Sequence, residues 1–129
     1  MKKTTKTFPK LQNRNGIYLT ENHISEIYNF AKKYYDLLCG QYLRYRINHC
    51  QAYYTKEIPV CVDEENDIRF KVIFIKSYKT IVACHIPEFD VVISFGRYSM
   101  TTYQHISKYV KNYTPSYTQA YNVEYVNWF

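Results

Sequence analysis

The spacing of hydrophobic positions divides the chain into a helical segment and a β-rich centre. After Thr20, apolar residues recur at steps of three and four, which predicts an amphipathic helix with Thr20 as N-cap and its end before Gly40. From residue 58 onward, apolar and polar residues alternate, as they do in β-strands. This alternation predicts four strands, at 58–62, 68–75, 79–86 and 89–95.

A second helix is predicted from Thr101 to about Tyr113. Thr101 and Gln104 fit the two ends of a capping box, and Pro115 prevents extension of the helix. The following residues, up to Phe129, are rich in Tyr and Val. This aromatic tail is too apolar to stay in water, so it either docks on the domain, which we favour, or contacts a partner or a second copy.

Residues 41–56 fit two patterns. Leu43, Tyr45 and Ile47 alternate with polar residues, as in a strand, whereas Leu43, Ile47, Cys50 and Tyr54 share one helical face. The segment has no β-branched run beyond Ile47, and we therefore favour a helix.

The elements together predict an α+β fold. Short connections join successive strands, which favours an antiparallel sheet of about four strands, with an N-terminal and a C-terminal helix packed on one face. A chain of 129 residues provides one hydrophobic core. We expect a flexible basic arm at residues 1–16 and a single domain, including the aromatic tail, at residues 17–129.

The net charge of +6 is concentrated in the arm. The arm has five basic residues and no acidic one. The rest of the chain has the other 12 of the 17 Lys and Arg and all 11 Asp and Glu, so its net charge is only +1. Such an arm either contacts phosphate groups or keeps the protein soluble. Its basic residues, which we take as candidate binding residues, are Lys2, Lys3, Lys6, Lys10 and Arg14.

Arginine and tyrosine alternate at Tyr42, Arg44, Tyr45 and Arg46. Arg pairs with phosphate and Tyr offers a stacking face for a base, so these four are candidate partner- or nucleic-acid-binding residues. The alternative is the exposed edge of an amphipathic segment whose Tyr rings are packed. His105, in the first turns of the second helix, is either a contact residue or a structural histidine.

The sequence carries no strong catalytic or metal-binding motif. Its four Cys and four His lack zinc-ligand spacing, and no P-loop or dinucleotide fingerprint is present. The acidic block Asp63–Asp67 lacks the EF-hand glycine and predicts a solvated turn. We therefore expect no enzymatic activity, no catalytic residue, no metal and no cofactor. Without a long apolar run or a secretory signal, we expect no membrane association and a cytoplasmic location.

Two stretches resemble a family of small, uncharacterised phage and prophage proteins. The first is Ser77–Ala83, with the pattern S-Y-x-T-x-V-A, and the second is Ser99–Ile106, with S-x-T-T-x-x-H-I. In that family, a strand with the first pattern is followed by a strand that leads into the second at a helix start. The resemblance implies a phage or mobile-element origin and an α+β fold, and it implies no activity.

These features favour a non-catalytic phage accessory protein. We expect it to bind and inhibit a host nucleic-acid-handling complex. The most specific form of this hypothesis is anti-CRISPR or other anti-defence inhibition. The partner would be a host protein or nucleoprotein complex. The alternative is a small nucleic-acid-binding protein that uses the arm and the Arg and Tyr residues. The aromatic tail offers a contact for oligomers.

Overall fold

The computed structural model describes residues 9–39, 42–47, 49–115 and 123–128. The helices in these ranges are α1 (Glu21–Lys33), α2 (Tyr35–Cys39) and α3 (Met100–Asn112). The strands are β1 (Tyr42–Ile47), β2 (Cys50–Thr55), β3 (Ile58–Asp63), β4 (Ile68–Ser77), β5 (Thr80–Ile86), β6 (Val91–Ser94) and β7 (Glu124–Asn127). A short 3₁₀ turn, Pro87–Phe89, connects β5 to β6.

The strands form one mixed sheet in the order β1-β2-β4-β5-β6-β7. Among the described residues, strand β3 pairs only with β4, on the edge of β4 that also pairs with β2 nearer the end of that strand. The pairs are antiparallel except β6 and β7, which run parallel. The predicted sheet of about four antiparallel strands is therefore wrong. The described residues contribute seven strands, and the helix predicted at the C-terminus lies between β6 and β7.

The favoured helix over residues 41–56 is also wrong, because β1 and β2 form a hairpin there. Tyr45 and Ala52 lie directly opposite each other, and both are buried in the cluster that contains α3 residues. Alternate side chains of the hairpin therefore face α3, which is the strand interpretation of the same residues. Packing against α3 favours the hairpin over a helix.

Strand β4 separates two hydrophobic clusters. Phe70, Val72 and Phe74 belong to the cluster with α1, whereas Ile73 and Ile75 belong to the cluster with α3. We name the two sides of the sheet the α1 face and the α3 face. The predicted packing of both helices on one face is wrong, since the central strands are apolar on both faces and each face needs a cover.

The helix termini follow the capping rules. Thr20 is the N-cap of α1, as predicted, and its side-chain oxygen accepts the backbone N–H of His23 at 3.2 Å. The predicted single helix is interrupted at Tyr34, where α1 ends before α2 begins. The predicted capping box of Thr101 and Gln104 is wrong, because Thr101 lies inside α3. Ser99 is the N-cap, and its side-chain oxygen accepts the N–H of Thr102 at 3.3 Å.

Replacing Thr20 with alanine is expected to lower the free energy of unfolding by about 1 kcal/mol, since the first turn of α1 loses a capping acceptor. Urea unfolding of both proteins measures the difference. Asn29→Ala, at an exposed position of the same helix, is the matched control and should change stability by less. Equal losses in the two variants would contradict this role of Thr20.

The aromatic tail docks through β7, so the favoured interpretation is confirmed for residues 123–128. Val126 and Trp128 are buried, and the Trp128 ring lies 5.3 Å from that of Tyr28 and 6.1 Å from that of Phe95. Parallel pairing with β6 satisfies the β7 backbone. Residues 116–122 lie outside the described ranges.

Part of the predicted arm contacts the domain. Asn13 is 8% exposed and its side-chain amide donates to a Glu88 carboxylate oxygen at 2.8 Å. The backbone N–H of Leu19 donates to the carbonyl of Leu11 at 2.9 Å, and Leu11 packs against the α1-side cluster. Residues 1–8 lie outside the described ranges, so a flexible arm at residues 1–16 stays a prediction.

Candidate functional site

Arg44 and Arg46 are exposed neighbours on the edge strand β1. Because β1 is a strand, these residues, two positions apart, project from the same face. Tyr45 between them faces α3, so both arginines lie on the α1 face. Residues two positions apart in a strand are separated by about 7 Å along the backbone, a spacing that lets both guanidinium groups reach neighbouring phosphates of an extended nucleic-acid strand.

The strand register extends this pair across the sheet. Arg44 lies opposite Tyr53, and Tyr53 lies opposite Lys76 of β4. The ammonium nitrogen of Lys76 is 4.5 Å from the centre of the Tyr53 ring, a cation–π contact, and the Tyr53 hydroxyl donates to the side-chain oxygen of Gln51 at 2.8 Å. Lys76 itself is only 8% exposed, so it supports the Tyr53 ring from within the fold. We call Arg44, Arg46 and Tyr53, with the buried Lys76 beside them, the basic surface.

Sequence reasoning missed Tyr53 and Lys76. They are 23 positions apart in the chain and become neighbours only through the pairing of β2 with β4. Local spacing carries no signal for that contact, because pairing between distant strands fixes the register.

The other predicted contact residues are dispersed. Lys10 and Arg14 are exposed, and Arg14 lines a cavity of about 510 Å³ together with Glu88 and Asp90, away from the basic surface. Lys2, Lys3 and Lys6, like the side chain of Tyr42, lie outside what the structure describes. The arm residues that are described therefore do not extend the basic surface.

Tyr45 and His105 are core residues. Tyr45 is 5% exposed and its hydroxyl donates to the backbone carbonyl of His105 at 2.6 Å. Its ring packs on those of Tyr54 and Tyr113, and burial raises the pKa of the Tyr45 hydroxyl. His105 is fully buried. In this structure neither ring presents a face to solvent, so we leave both out of the basic surface.

His105 connects three elements through a buried hydrogen-bond network. Its Nε2 lies 3.0 Å from the carbonyl oxygen of Cys50, and its Nδ1 lies 2.9 Å from the hydroxyl of Ser77. A carbonyl only accepts, so Nε2 carries the proton and Nδ1 accepts from Ser77. The Thr102 hydroxyl, 3.2 Å from that of Ser77, then donates to it. The network fixes the β1–β2 hairpin and β4 to α3.

This network explains the two patterns on which the phage-family resemblance rests. Ser77 begins the first pattern, and Thr102 and His105 are polar positions of the second. Tyr78, the second residue of the first pattern, has a left-handed backbone (φ 56°), and its ring lies 6.0 Å from that of His105. The patterned positions are therefore structural contacts between a strand end and a helix.

The polar side chains of the core that could take part in catalysis are buried, so a substrate cannot reach them. Ser77 is 3% exposed and His105 is fully buried, so their hydrogen-bonded pair has no room for a substrate. Burial also raises the pKa of the Cys84 thiol, which disfavours the reactive thiolate. Among the described residues, no group of three or more His, Cys, Asp or Glu is placed to hold a metal ion.

Acidic residues concentrate at the opposite end of the sheet. The acidic block forms the β3–β4 turn, as predicted, and hydrogen bonds from Asn66 lower the pKa of the Asp63 carboxyl. Asp63 and Glu64 line a cavity of about 620 Å³ together with Glu26. This acidic cluster lies at the start of β4, whereas Lys76 of the basic surface lies near the end of that strand.

The profile of a family of unknown function, DUF8033, matches residues 40–124, which is more than half of the chain. The chain belongs to DUF8033. No curated protein and no solved structure matches it. In the described ranges, no helix has the length and apolar character needed to cross a lipid bilayer.

The DUF8033 match contains the complete basic surface and the Ser77–His105 network. It excludes α1 and the residues before it, and it ends at the first residue of β7. The part of the chain that defines DUF8033 is therefore the sheet with α3. Helix α1 and the docked tail pack against the α1 face of that sheet.

Proposed function

We propose that this protein acts by binding, and that the basic surface contacts single-stranded nucleic acid. The observation that carries the proposal is the line of Arg44, Tyr53 and Lys76 across three strands, with Arg46 beside it. Arginine recognises phosphate through two parallel hydrogen bonds, and aromatic rings on a sheet are typical of single-strand binding. The burial of Ser77 and His105 supports binding over catalysis.

A single strand suits this surface better than a duplex does. The charge of the folded body is nearly balanced, so a long duplex would meet few cations in excess of carboxylates. Unpaired bases can approach Tyr53, which is only half-buried, whereas paired bases are already stacked.

The phage origin that the two sequence patterns imply is part of this proposal. A small binding protein of a phage or prophage acts in the bacterial cytoplasm, where nucleic acid and its host enzymes are the available targets. The Ser77–His105 network supplies a physical reason for both patterns, but the origin itself rests on the resemblance.

The first test is binding of labelled single- and double-stranded DNA and RNA over a salt series. We expect the R44Q/R46Q variant to bind single strands about tenfold or more weakly and to reduce the salt slope by about 1.4, since about 0.7 is lost per phosphate contact. The matched control is K71Q/K111Q, which removes two exposed lysines outside the basic surface.

Three further results bear on this test. Weak binding of every oligonucleotide at low salt, or equal losses in both double variants, would contradict the role of the basic surface. Deleting residues 1–8 tests the arm, because a longer deletion would also remove the buried Asn13. An unchanged salt slope after this deletion would mean that Lys2, Lys3 and Lys6 make no phosphate contact.

A second candidate is inhibition of a host nucleic-acid-handling complex. Among the described residues, β1 pairs only with β2, so its outer edge can accept a strand from a partner, as in β-augmentation, once that strand displaces the Lys108 amine from the Arg46 carbonyl. Arg44 and Arg46 would favour an acidic partner strand. Expression in a CRISPR-immune bacterium tests the anti-CRISPR version. Restored phage infection is expected, and full immunity in its presence would contradict it.

A further inference from the structure

A small pocket lies where the end of α1 meets the β4–β5 turn. Its volume is about 230 Å³, enough for a phosphate with part of its sugar. Three elements contribute its walls, α1, α2 and the start of β5. The lining residues are Tyr28, Ala31, Lys32, Tyr35, Lys79, Thr80 and Ile81. We call it the terminal pocket.

The terminal pocket has the chemistry of an anion site. Lys32 of α1 and Lys79 of the β4–β5 turn both line the pocket and are exposed, and none of its described lining residues is acidic. The ammonium nitrogen of Lys32 lies 5.3 Å from the centre of the Tyr28 ring, which holds it over the pocket wall. Lys32 and Lys33 also offset the partial negative charge at the C-terminal end of α1.

The terminal pocket and the basic surface are neighbours, because Lys76 contacts a tyrosine ring of each. The ammonium nitrogen of Lys76 is 4.5 Å from the Tyr53 ring and 5.7 Å from the Tyr35 ring, so one cation lies between the two sites. The Tyr35 hydroxyl donates to the backbone carbonyl of Lys79, which fixes Tyr35 against the β4–β5 turn. Because Lys76 is only 8% exposed, the Tyr53 and Tyr35 rings on either side of it, rather than its ammonium group, connect the basic surface to the terminal pocket.

We infer that the terminal pocket binds the phosphate monoester at the end of the nucleic-acid strand held on the basic surface. A terminal monoester carries nearly two negative charges at pH 7, whereas an internal diester carries one. Two lysine amines therefore favour the end over an internal phosphate. The inference rests on the proposed function for the source of the ligand, since a free nucleoside monophosphate offers the same group.

The experiment compares short single strands of one sequence with a 5′-phosphate, a 3′-phosphate or hydroxyl ends. We expect the full-length protein to bind one of the phosphorylated strands about tenfold more tightly than the hydroxyl-ended strand. The K32Q/K79Q variant should lose this preference and retain the affinity for hydroxyl ends. K71Q/K111Q, with the same change in charge, should keep the preference.

The outcomes separate this inference from the proposed function. Equal affinity for all three strands would overturn the terminal pocket and leave the basic surface standing. If no strand binds, the proposed function fails, and titration with adenosine monophosphate followed by NMR decides the pocket. Shifts at Lys32 and Lys79 that K32Q/K79Q abolishes would support it as a site for free nucleotide, and their absence would overturn it.

Discussion

Replacing His105 with alanine is expected to lower the free energy of unfolding by about 3–5 kcal/mol. The side chain is fully buried, so its removal leaves a cavity under α3. It also leaves the Ser77 hydroxyl and the Cys50 carbonyl without the hydrogen bonds that His105 provides. Urea unfolding followed by far-ultraviolet circular dichroism measures the loss.

Gln104→Ala is the matched control for this prediction. Gln104 is the exposed neighbour of His105 on α3, and its removal should change stability by less than about 0.5 kcal/mol. Ser77→Ala should cost about 1–2 kcal/mol, and the double variant S77A/H105A should lose about 1 kcal/mol less than the sum. Strict additivity would show that Ser77 and His105 act independently, which contradicts the network.

The same network positions the basic surface. Cys50 is the first residue of β2, and its carbonyl accepts from His105. The Tyr45 hydroxyl of β1 donates to the backbone carbonyl of His105, so two hydrogen bonds attach the hairpin to α3. Arg44 and Arg46 project from the opposite side of that hairpin. A folded His105 variant should therefore bind single strands more weakly as well, although His105 lies outside the proposed contact surface.

Local pattern was sufficient for the centre of the fold. The four strands predicted between residues 58 and 95 are all present, since each has its own alternation and the β3–β4 turn carries its acidic block. For residues 41–56 two periodicities competed in the sequence. The choice came from α3, which begins 44 positions after this segment and covers Tyr45 and Ala52.

The candidate site depends even more on distant pairing. Arg44 and Arg46 could be selected from the sequence, because Arg and Tyr alternate there. Tyr53 and Lys76 could not, because only the β2–β4 register places them beside Arg44. The net charge likewise does not locate the basic and acidic groups in the fold, since residues 17–129 have a net charge of +1 however these groups are arranged.

Acid is expected to destabilise the protein through His85. This residue is fully buried, its Nδ1 lies 2.7 Å from the Tyr109 hydroxyl, and its Nε2 has no hydrogen-bond partner among the described residues. Burial lowers the pKa of His85 from 6.5 to about 4. In the native state His85 is therefore protonated only at a lower pH than in the unfolded chain. The neutral ring's full contribution to the free energy of unfolding is present above about pH 6.5 and is lost as the pH drops toward 4.

The expected loss between pH 7 and pH 4.5 is about 2–3 kcal/mol for His85 alone. His23 adds a loss of the same sign, since burial lowers its pKa more than Asp63 raises it.

Two variants test this prediction. His85→Gln removes the titrating ring, so this variant should be less stable at pH 7. Between pH 7 and pH 4.5 its free energy of unfolding should fall by about 2 kcal/mol less than that of the wild type. Tyr109→Phe retains the histidine and should retain most of the slope. Urea unfolding across this pH range measures both profiles. If His85→Gln falls as steeply as the wild type, His85 does not drive acid unfolding, and the unpaired Nε2 must then be accommodated at little cost when it is protonated.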